Sequence, residues 1–282
     1  GGDCFAGLYW KAPSAGSQNV LARFGDAGKV AAECDVTVAV LGINKSIERE
    51  GQDRFSLELP VDQQEFIKEL YKVNPNTVVV LVAGSSMAVN WMDENVPAIL
   101  NAWYPGEQGG NAVAEVLFGD YNPGGRLPLT YYNSLDEIPA FDNYSVKGRT
   151  YQYFEGQPLY EFGYGLSYTK FRYKSKGVNV EQDTVKVSFE VSNTGKYDGD
   201  EVAQVYVKYP ETGTYMPLKQ LHGFKRVHIK KGKTSKVTIG VPKKDLRYWD
   251  EQERKFVTPK GEYTFMVGAS SDDIKFRETV GL

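Results

Sequence analysis

The chain has 282 residues, 41% of them hydrophobic, and a formal net charge of -3 from 33 Lys and Arg against 36 Asp and Glu. That length suits two ordinary domains. The charge balance leaves no excess of base for a phosphate backbone, so nucleic acid is excluded as a partner, and no stretch approaches the roughly 20 apolar residues of a membrane span.

Taken in chain order, GGDCFAGLYWKAPSAG lacks the charged start and apolar middle of a signal peptide, and the chain is expected to begin inside a longer protein. Cys4 and Cys34 are too few for a disulfide framework and have no CxxC spacing; a bridge between them is left open. VTVAVLG (36–42) is a β-rich run ending in glycine, and no strand is evident before it. LPVDQQEFIKELYKV (59–73) places Phe66, Ile67, Leu70 and Tyr71 at helical spacing, with Asp62 and Glu65 in the first turn where a helix dipole favours acid. TVVVLVAG (77–84) and PAILNAW (97–103) read as further strands, and NAVAEVLFG (111–119) as a helix with Ala112, Val113, Val116 and Leu117 on one face. This alternation predicts an α/β domain over 1–140, a three-layer αβα sandwich around a mainly parallel sheet.

Over 141–170 the chain turns to Gly, Pro, Tyr and Asn. So many aromatics would be costly in water, so this is expected to be an ordered connection wrapped on the first domain's surface. From 171 to 282 the period is two: VKVSFEVSN (185–193), EVAQVYVKY (201–209), LKQLHGFKRVHIKKG (218–232), KVTIGVPKKDL (236–246) and GEYTFMVGASS (261–271). Strands at this spacing, without a Cys…Trp…Cys pattern, predict an all-β sandwich of the fibronectin type III kind.

His222 and His228 both lie in the last quarter, so chemistry in the first half runs without histidine, which removes Ser-His-Asp logic and most metal hydrolase sites there. SIEREGQDR (46–54) leaves the carboxyl end of a buried strand, where open α/β sheets meet their ligands. If the loop runs extended, Glu48 and Glu50 point one way and Arg49 the other, with Asp53 and Arg54 as a structural pair fixing the loop. The bland alternative is a surface ion-pair cluster. YPGEQGG (104–110) matches no phosphate-loop pattern and places Glu107 where an anion would sit; a tight turn and close helix packing account for its glycines. Trp10, Trp91 and Trp103 have the faces to stack on sugars, but core packing accounts for them equally well.

LGINKSIEREGQDRFSLELPVDQQEFI, AWYPGEQGGNAVAEVLFGDYNPGGRLPLTYY, GRTYQYFEGQPLYEFGYGLSYTKF and EVAQVYVKYPETG…LKQLHGFKRV resemble, in order and spacing, the C-terminal portion of glycoside hydrolase family 3. The resemblance covers essentially the whole chain. It implies the α/β sandwich and fibronectin-like domain already expected, and retaining hydrolysis of a terminal β-linked sugar by an aspartate nucleophile and a glutamate acid/base. Glu48 falls at the matching place for the acid/base, with Glu50 as second choice, and the short spacing to Asp53–Arg54 looks like the β-xylosidase members more than the β-glucosidases. The nucleophile would lie in a preceding (β/α)8 barrel with no counterpart here, so this chain alone is expected to be incomplete and inactive; the alternatives are a β-glucosidase of the same family and a non-catalytic carbohydrate-binding or interaction fragment that keeps the fold without the barrel. The implied partners are an oligosaccharide substrate and that barrel domain, with a homodimer left open; no cofactor and no metal are implied, and the substrate implies a secreted or periplasmic location.

Overall fold

The computed structural model describes residues 7–9 and 20–282, with side chains from Asp26 onward. Cys4 and Trp10, and with Cys4 the question of its pairing to the buried Cys34, lie outside the described residues. The chain gathers into two compact units. One runs to Ala114 and takes in Tyr131–Glu137; the other consists of Glu115–Thr130 and Ile138–Leu282.

In the first unit β1 (Gly7–Tyr9), α1 (Val20–Ala32), β2 (Thr37–Gly42), α2 (Val61–Val73), β3 (Thr77–Val82), α3 (Asn90–Asn95) and β4 (Ala98–Asn101) alternate along the chain. The strands lie in the order β1-β2-β3-β4, each pair parallel. A strand therefore does precede VTVAVLG, although no strand was expected there: three residues, GLY, are too few for a periodicity to register. β2 and β3 are the buried centre, with Ala39, Leu41, Val79, Val80 and Leu81 at most 3% exposed, which is why both read as unbroken apolar runs. α1 packs against α2, and Ala27 and Ala31 on the first and Phe66, Ile67 and Leu70 on the second are buried at the 3–4-residue spacing of one helical face. α4 (Gly109–Phe118) follows the glycine-rich turn. A Cβ at Gly109 would lie 2.3 Å from the Pro105 ring, so this glycine serves close packing.

The second unit carries the short α5 (Thr150–Tyr153) and then β5 (Phe171–Val180), β6 (Thr184–Asn193), β7 (Gly199–Lys208), β8 (Gln220–Ile229), β9 (Thr234–Pro242), β10 (Tyr248–Asp250), β11 (Lys255–Val257), β12 (Glu262–Gly268) and β13 (Ile274–Gly281). They form a sheet β13-β12-β7-β8, a sheet β5-β6-β9 and a ribbon β10-β11, all antiparallel. Alternate residues of β6 (Val185, Val187, Phe189, Val191) and β9 (Val237, Ile239, Val241) meet Val205, Val207, Phe265 and Val267 of the other sheet in one core.

The aromatic connection packs on this sandwich and is also bonded to 115–130, a stretch expected to belong to the first domain but gathered with the sandwich: the Leu127 N–H donates to the Tyr164 carbonyl at 2.8 Å, the Gly163 N–H to the Leu127 carbonyl at 2.7 Å and the Tyr168 N–H to Asn122 Oδ1 at 2.8 Å. Tyr151 stacks on Phe162 at 4.3 Å and meets Tyr206 of β7 edge-on at 5.8 Å, while the Ser271 N–H donates to the Phe162 carbonyl. Gly163 takes φ +84, where a Cβ would sit 2.2 Å from Gln204 Oε1 on β7. Composition identified an ordered segment but held nothing to say which core its aromatics would join.

His222 on β8 is bonded to the Tyr209 hydroxyl at 2.9 Å, and burial holds its imidazole below the usual histidine range. The unfolded chain takes up this proton at a higher pH than the folded one. Its contribution to stability is therefore complete above about pH 6.5 and is lost as pH falls toward the folded value. Acidification from about pH 7.5 to about pH 5.5 should lower the melting temperature of the wild type more than that of His222→Gln. Equal shifts in a pH series of thermal melts would remove His222 from the acid response.

Candidate active site

The site is built where β2, β3 and β4 end. Gly42 closes β2 with φ +155, and a Cβ there would run into the Val82 carbonyl at 1.8 Å. The buried Gln63 of α2 reaches back to this glycine, accepting from its N–H at 2.9 Å and donating to its carbonyl at 2.8 Å. The exit of the strand is thereby fixed before the charged loop begins.

Asn44 starts the loop as a cap. Its Oδ1 accepts from the Ser46 N–H at 2.8 Å and the Ser46 hydroxyl at 2.6 Å, and its carbonyl accepts from the N–H groups of Ile47 and Glu48. The chain then reverses in a tight hairpin. Arg49 and Gln52 exchange backbone bonds of 3.1 and 2.9 Å around Glu50 and Gly51, the latter at φ +74. The loop is thus not extended, and Glu48 and Glu50 do not share a face: Glu50 stands exposed at the hairpin tip, while Glu48 folds inward.

Glu48 meets Arg54, whose side chain is only 9% exposed against 28% for Glu48. The Arg54 guanidinium donates to Glu48 Oε2, to the Ser85 hydroxyl at 3.0 Å, to the Ser86 carbonyl at 2.9 Å and to the Leu57 carbonyl at 3.4 Å, with Met87 Sδ at 3.1 Å. The Ser85 hydroxyl donates to the same Glu48 Oε2 at 2.7 Å. Both contacts fall on one carboxylate oxygen, and Oε1 has no hydrogen-bond partner among the described residues. The expected Asp53–Arg54 pair is not formed, since Asp53 is exposed and Arg54 serves Glu48. A buried guanidinium cannot shed its charge, so it takes the carboxylate and carbonyls that surround it in preference to a solvated neighbour.

The ends of β3 and β4 complete the rim. The Tyr104 hydroxyl donates to the Ile43 carbonyl at 3.3 Å, and its ring lies so close to Gly84 that a Cβ there would be 2.5 Å away. Trp103 holds a left-handed φ of +55, a strain of about 1–3 kcal/mol for a non-glycine residue. Behind them Asn101 Nδ2 donates to the buried Tyr131 hydroxyl at 3.0 Å. Burial pushes the Tyr131 phenol up to about 12, against the pull of the Asn101 bond and the Arg54 charge, so it stays protonated at neutral pH. Sequence reasoning singled out Glu48 and did not single out Ser85, Tyr104 or Tyr131. The rule that singled out SIEREGQDR applies equally to GSSM after TVVVLVA and to WYPG after PAILNA.

Residues 8–168 match the glycosyl hydrolase family 3 C-terminal domain and residues 201–271 a fibronectin type III-like domain. The chain belongs to glycosyl hydrolase family 3. It is 43% identical over 225 residues to a xylan 1,4-β-xylosidase of Xylanibacter ruminicola, covering 79% of this chain and 26% of that protein. A periplasmic β-glucosidase of Salmonella typhimurium is 33% identical, over 96% of this chain and 37% of its own. The crystal structure of a β-glucosidase from Kluyveromyces marxianus in complex with glucose superposes with a TM-score of 0.87 at 35% identity, over 95% of this chain and 34% of that one. The chain thus spans about a quarter to somewhat more than a third of the length of these relatives. Among the described residues no helix is long and apolar enough to cross a membrane.

Arg54→Met keeps the volume but strips the donor from Glu48 and from two carbonyls, and should cost about 3 kcal/mol in urea unfolding. Arg54→Lys, which keeps the charge but not the fork, should fall between. A midpoint unchanged in Arg54→Met would show that the loop does not depend on this cation.

Proposed function

We propose that this chain carries the acid/base half of a retaining, exo-acting β-glycosidase, with Glu48 as the acid/base. Glu48 protonates the glycosidic oxygen as the bond from that oxygen to the anomeric carbon breaks and the nucleophile's carboxylate bonds to that carbon. It then takes a proton from the water whose oxygen displaces the nucleophile. The nucleophile, an aspartate, is supplied by an N-terminal (β/α)8 barrel of the same enzyme, its carboxyl about 5–5.5 Å from that of Glu48.

The observation that carries this reading is the asymmetry of the Glu48 carboxylate. Oε2 is held by Arg54 and Ser85, which fixes the group, while Oε1 is left to exchange a proton. Glu50, at an exposed hairpin tip, has no comparable support. The sugar is read as xylose, released from the non-reducing ends of xylo-oligosaccharides. The 43% identity to a β-xylosidase and the short loop favour it, and β-glucosidase is the second reading because other relatives carry that name. Xylan fragments are met outside the cytoplasm, and one relative is named periplasmic, which supports export.

Hydrolysis of 4-nitrophenyl β-xyloside and β-glucoside by the full-length enzyme, beside Glu48→Ala and Glu50→Ala with added azide, tests the assignment. A nitrophenol leaving group needs little protonation, so Glu48→Ala should stall at the glycosyl-enzyme and be rescued by azide as a β-glycosyl azide. Glu50→Ala should need no rescue. Normal turnover of natural oligosaccharides by Glu48→Ala would sink the proposal.

A further inference from the structure

The second unit holds a cavity of about 390 Å³ that the chemistry above does not use, within the range of small-ligand pockets. It is walled by the aromatic connection on one side and by the ends of two sandwich segments on the other, with Tyr151 and Phe154 facing Lys219, Ser271 and Asp272. The walls are fixed. The Tyr151 ring is stacked on Phe162 and its hydroxyl accepts from the Leu221 N–H at 3.1 Å, while Leu218 N–H donates to the Gln152 carbonyl at 2.7 Å. The Phe154 ring lies over Gly156 so closely that a Cβ there would be 2.4 Å away.

Its chemistry is that of an acceptor-rich, anion-repelling site. Three carboxylates, Glu155, Glu161 and Asp272, line it against one ammonium. That ammonium, Lys219, is already engaged by Asp272 and by the Ser271 carbonyl at 2.6 Å. Glu161 Oε1 accepts from the Ser270 hydroxyl at 2.7 Å, which holds its carboxylate at the wall. Phosphate, sulfate or a uronic acid would meet net negative charge. A metal ion is also disfavoured: among the described residues no three His, Cys, Asp or Glu side chains stand close enough together to hold one. The Ser271 side chain is wholly buried behind this wall and offers the cavity no accessible hydroxyl, so the polar contacts available to a ligand are those of the three carboxylates.

We infer that this cavity is a carbohydrate-binding site, taking an uncharged xylosyl unit whose hydroxyls donate to Glu155, Glu161 and Asp272 and whose apolar face lies on Phe154. The choice of xylose rests on the glycosidase reading; the site itself does not require Glu48 to be the acid/base.

Calorimetric titration of the full-length enzyme with S-linked xylobiose, which is not hydrolysed, should reveal two sites. One should weaken at least tenfold in Phe154→Ala and at least fivefold in Glu155→Gln. The second variant alters an exposed side chain and decides the matter even if the first fails to fold. Wild-type binding in Glu155→Gln and in a folded Phe154→Ala, or displacement of the sugar from that site by spermidine, would overturn the inference, the latter by showing a site for cations. Hydrolysis with single-site binding would fail the cavity alone; binding lost in these variants without any hydrolysis by the wild type would fail the glycosidase reading alone.

Discussion

A nearly buried guanidinium organises the charged loop and the rim around it. Arg54 is 9% exposed and cannot be neutralised, so the fold must surround it with acceptors, and it does so from three separate stretches of chain. Leu57 contributes a carbonyl from the loop's own exit, Ser86 a carbonyl and Ser85 a hydroxyl from beyond β3, and Glu48 a carboxylate from the near side of the hairpin. The Ala88 N–H then donates to the Leu57 carbonyl at 2.8 Å, so the same oxygen ties the loop to the segment after β3. Remove the cation and the loop has no interior; what remains is a solvated hairpin.

How much of this could be read beforehand follows from what a linear pattern carries. β2, β3 and β4, buried or half-buried in a parallel sheet, read as apolar runs, and β6, β7, β8, β9 and β12 were visible through alternation. The strands that escaped are short or lie at edges. β5 and β13 interleave Arg, Lys and Glu with partly buried residues, β10 and β11 are three residues each, and β1 is GLY. Glu48 was legible because a charged loop at a strand's carboxyl end violates the local apolar pattern. Its partner was not, since nothing local distinguishes Arg54 bonded to Asp53 from Arg54 buried beneath Glu48. That choice is made by the Ser86 carbonyl and the Ser85 hydroxyl, both more than 30 positions away.

The same physics recurs in the second unit and explains why the segment around NPGGR reads so distinctively. Arg126 donates to Glu201 at 3.1 Å with side chains 9% and 3% exposed, and the Tyr173 hydroxyl donates to the other carboxylate oxygen at 2.7 Å. Desolvation pushes the Glu201 carboxyl up against the opposing pull of Arg126 and Tyr173, and the Tyr173 phenol is driven far up by burial and by that carboxylate. Nearby, Asn122 accepts from the Ser167 hydroxyl and the Tyr168 N–H and donates to the Asp198 carbonyl, joining YNPGGR to FGYGLSYT and to the turn before β7. A buried ion pair of this sort contributes less net stability than an apolar contact of its volume but is costly to break singly, so it fixes which segment docks where. The aromatics of the connection follow that docking.

The identity of the anchoring cation also bears on the proposed chemistry. An acid/base must pass through both protonation states in each turnover, and a partner that titrated near neutrality would loosen its grip as the carboxyl changed charge. A histidine would do so, and a buried lysine would tend to. Arginine does not, and only one of its contacts depends on the carboxylate at all: the Ser86 and Leu57 carbonyls and the Ser85 hydroxyl hold the guanidinium whatever the state of Glu48. Ser85 adds a second hold, since a proton taken up on Oε1 leaves Oε2 able to go on accepting from its hydroxyl. On the proposed reading the loop geometry is thereby separated from the proton count on Oε1, and the charges packed into SIEREGQDR divide the work: Glu48 is proposed to move a proton, and Arg54 to stay fixed while it moves.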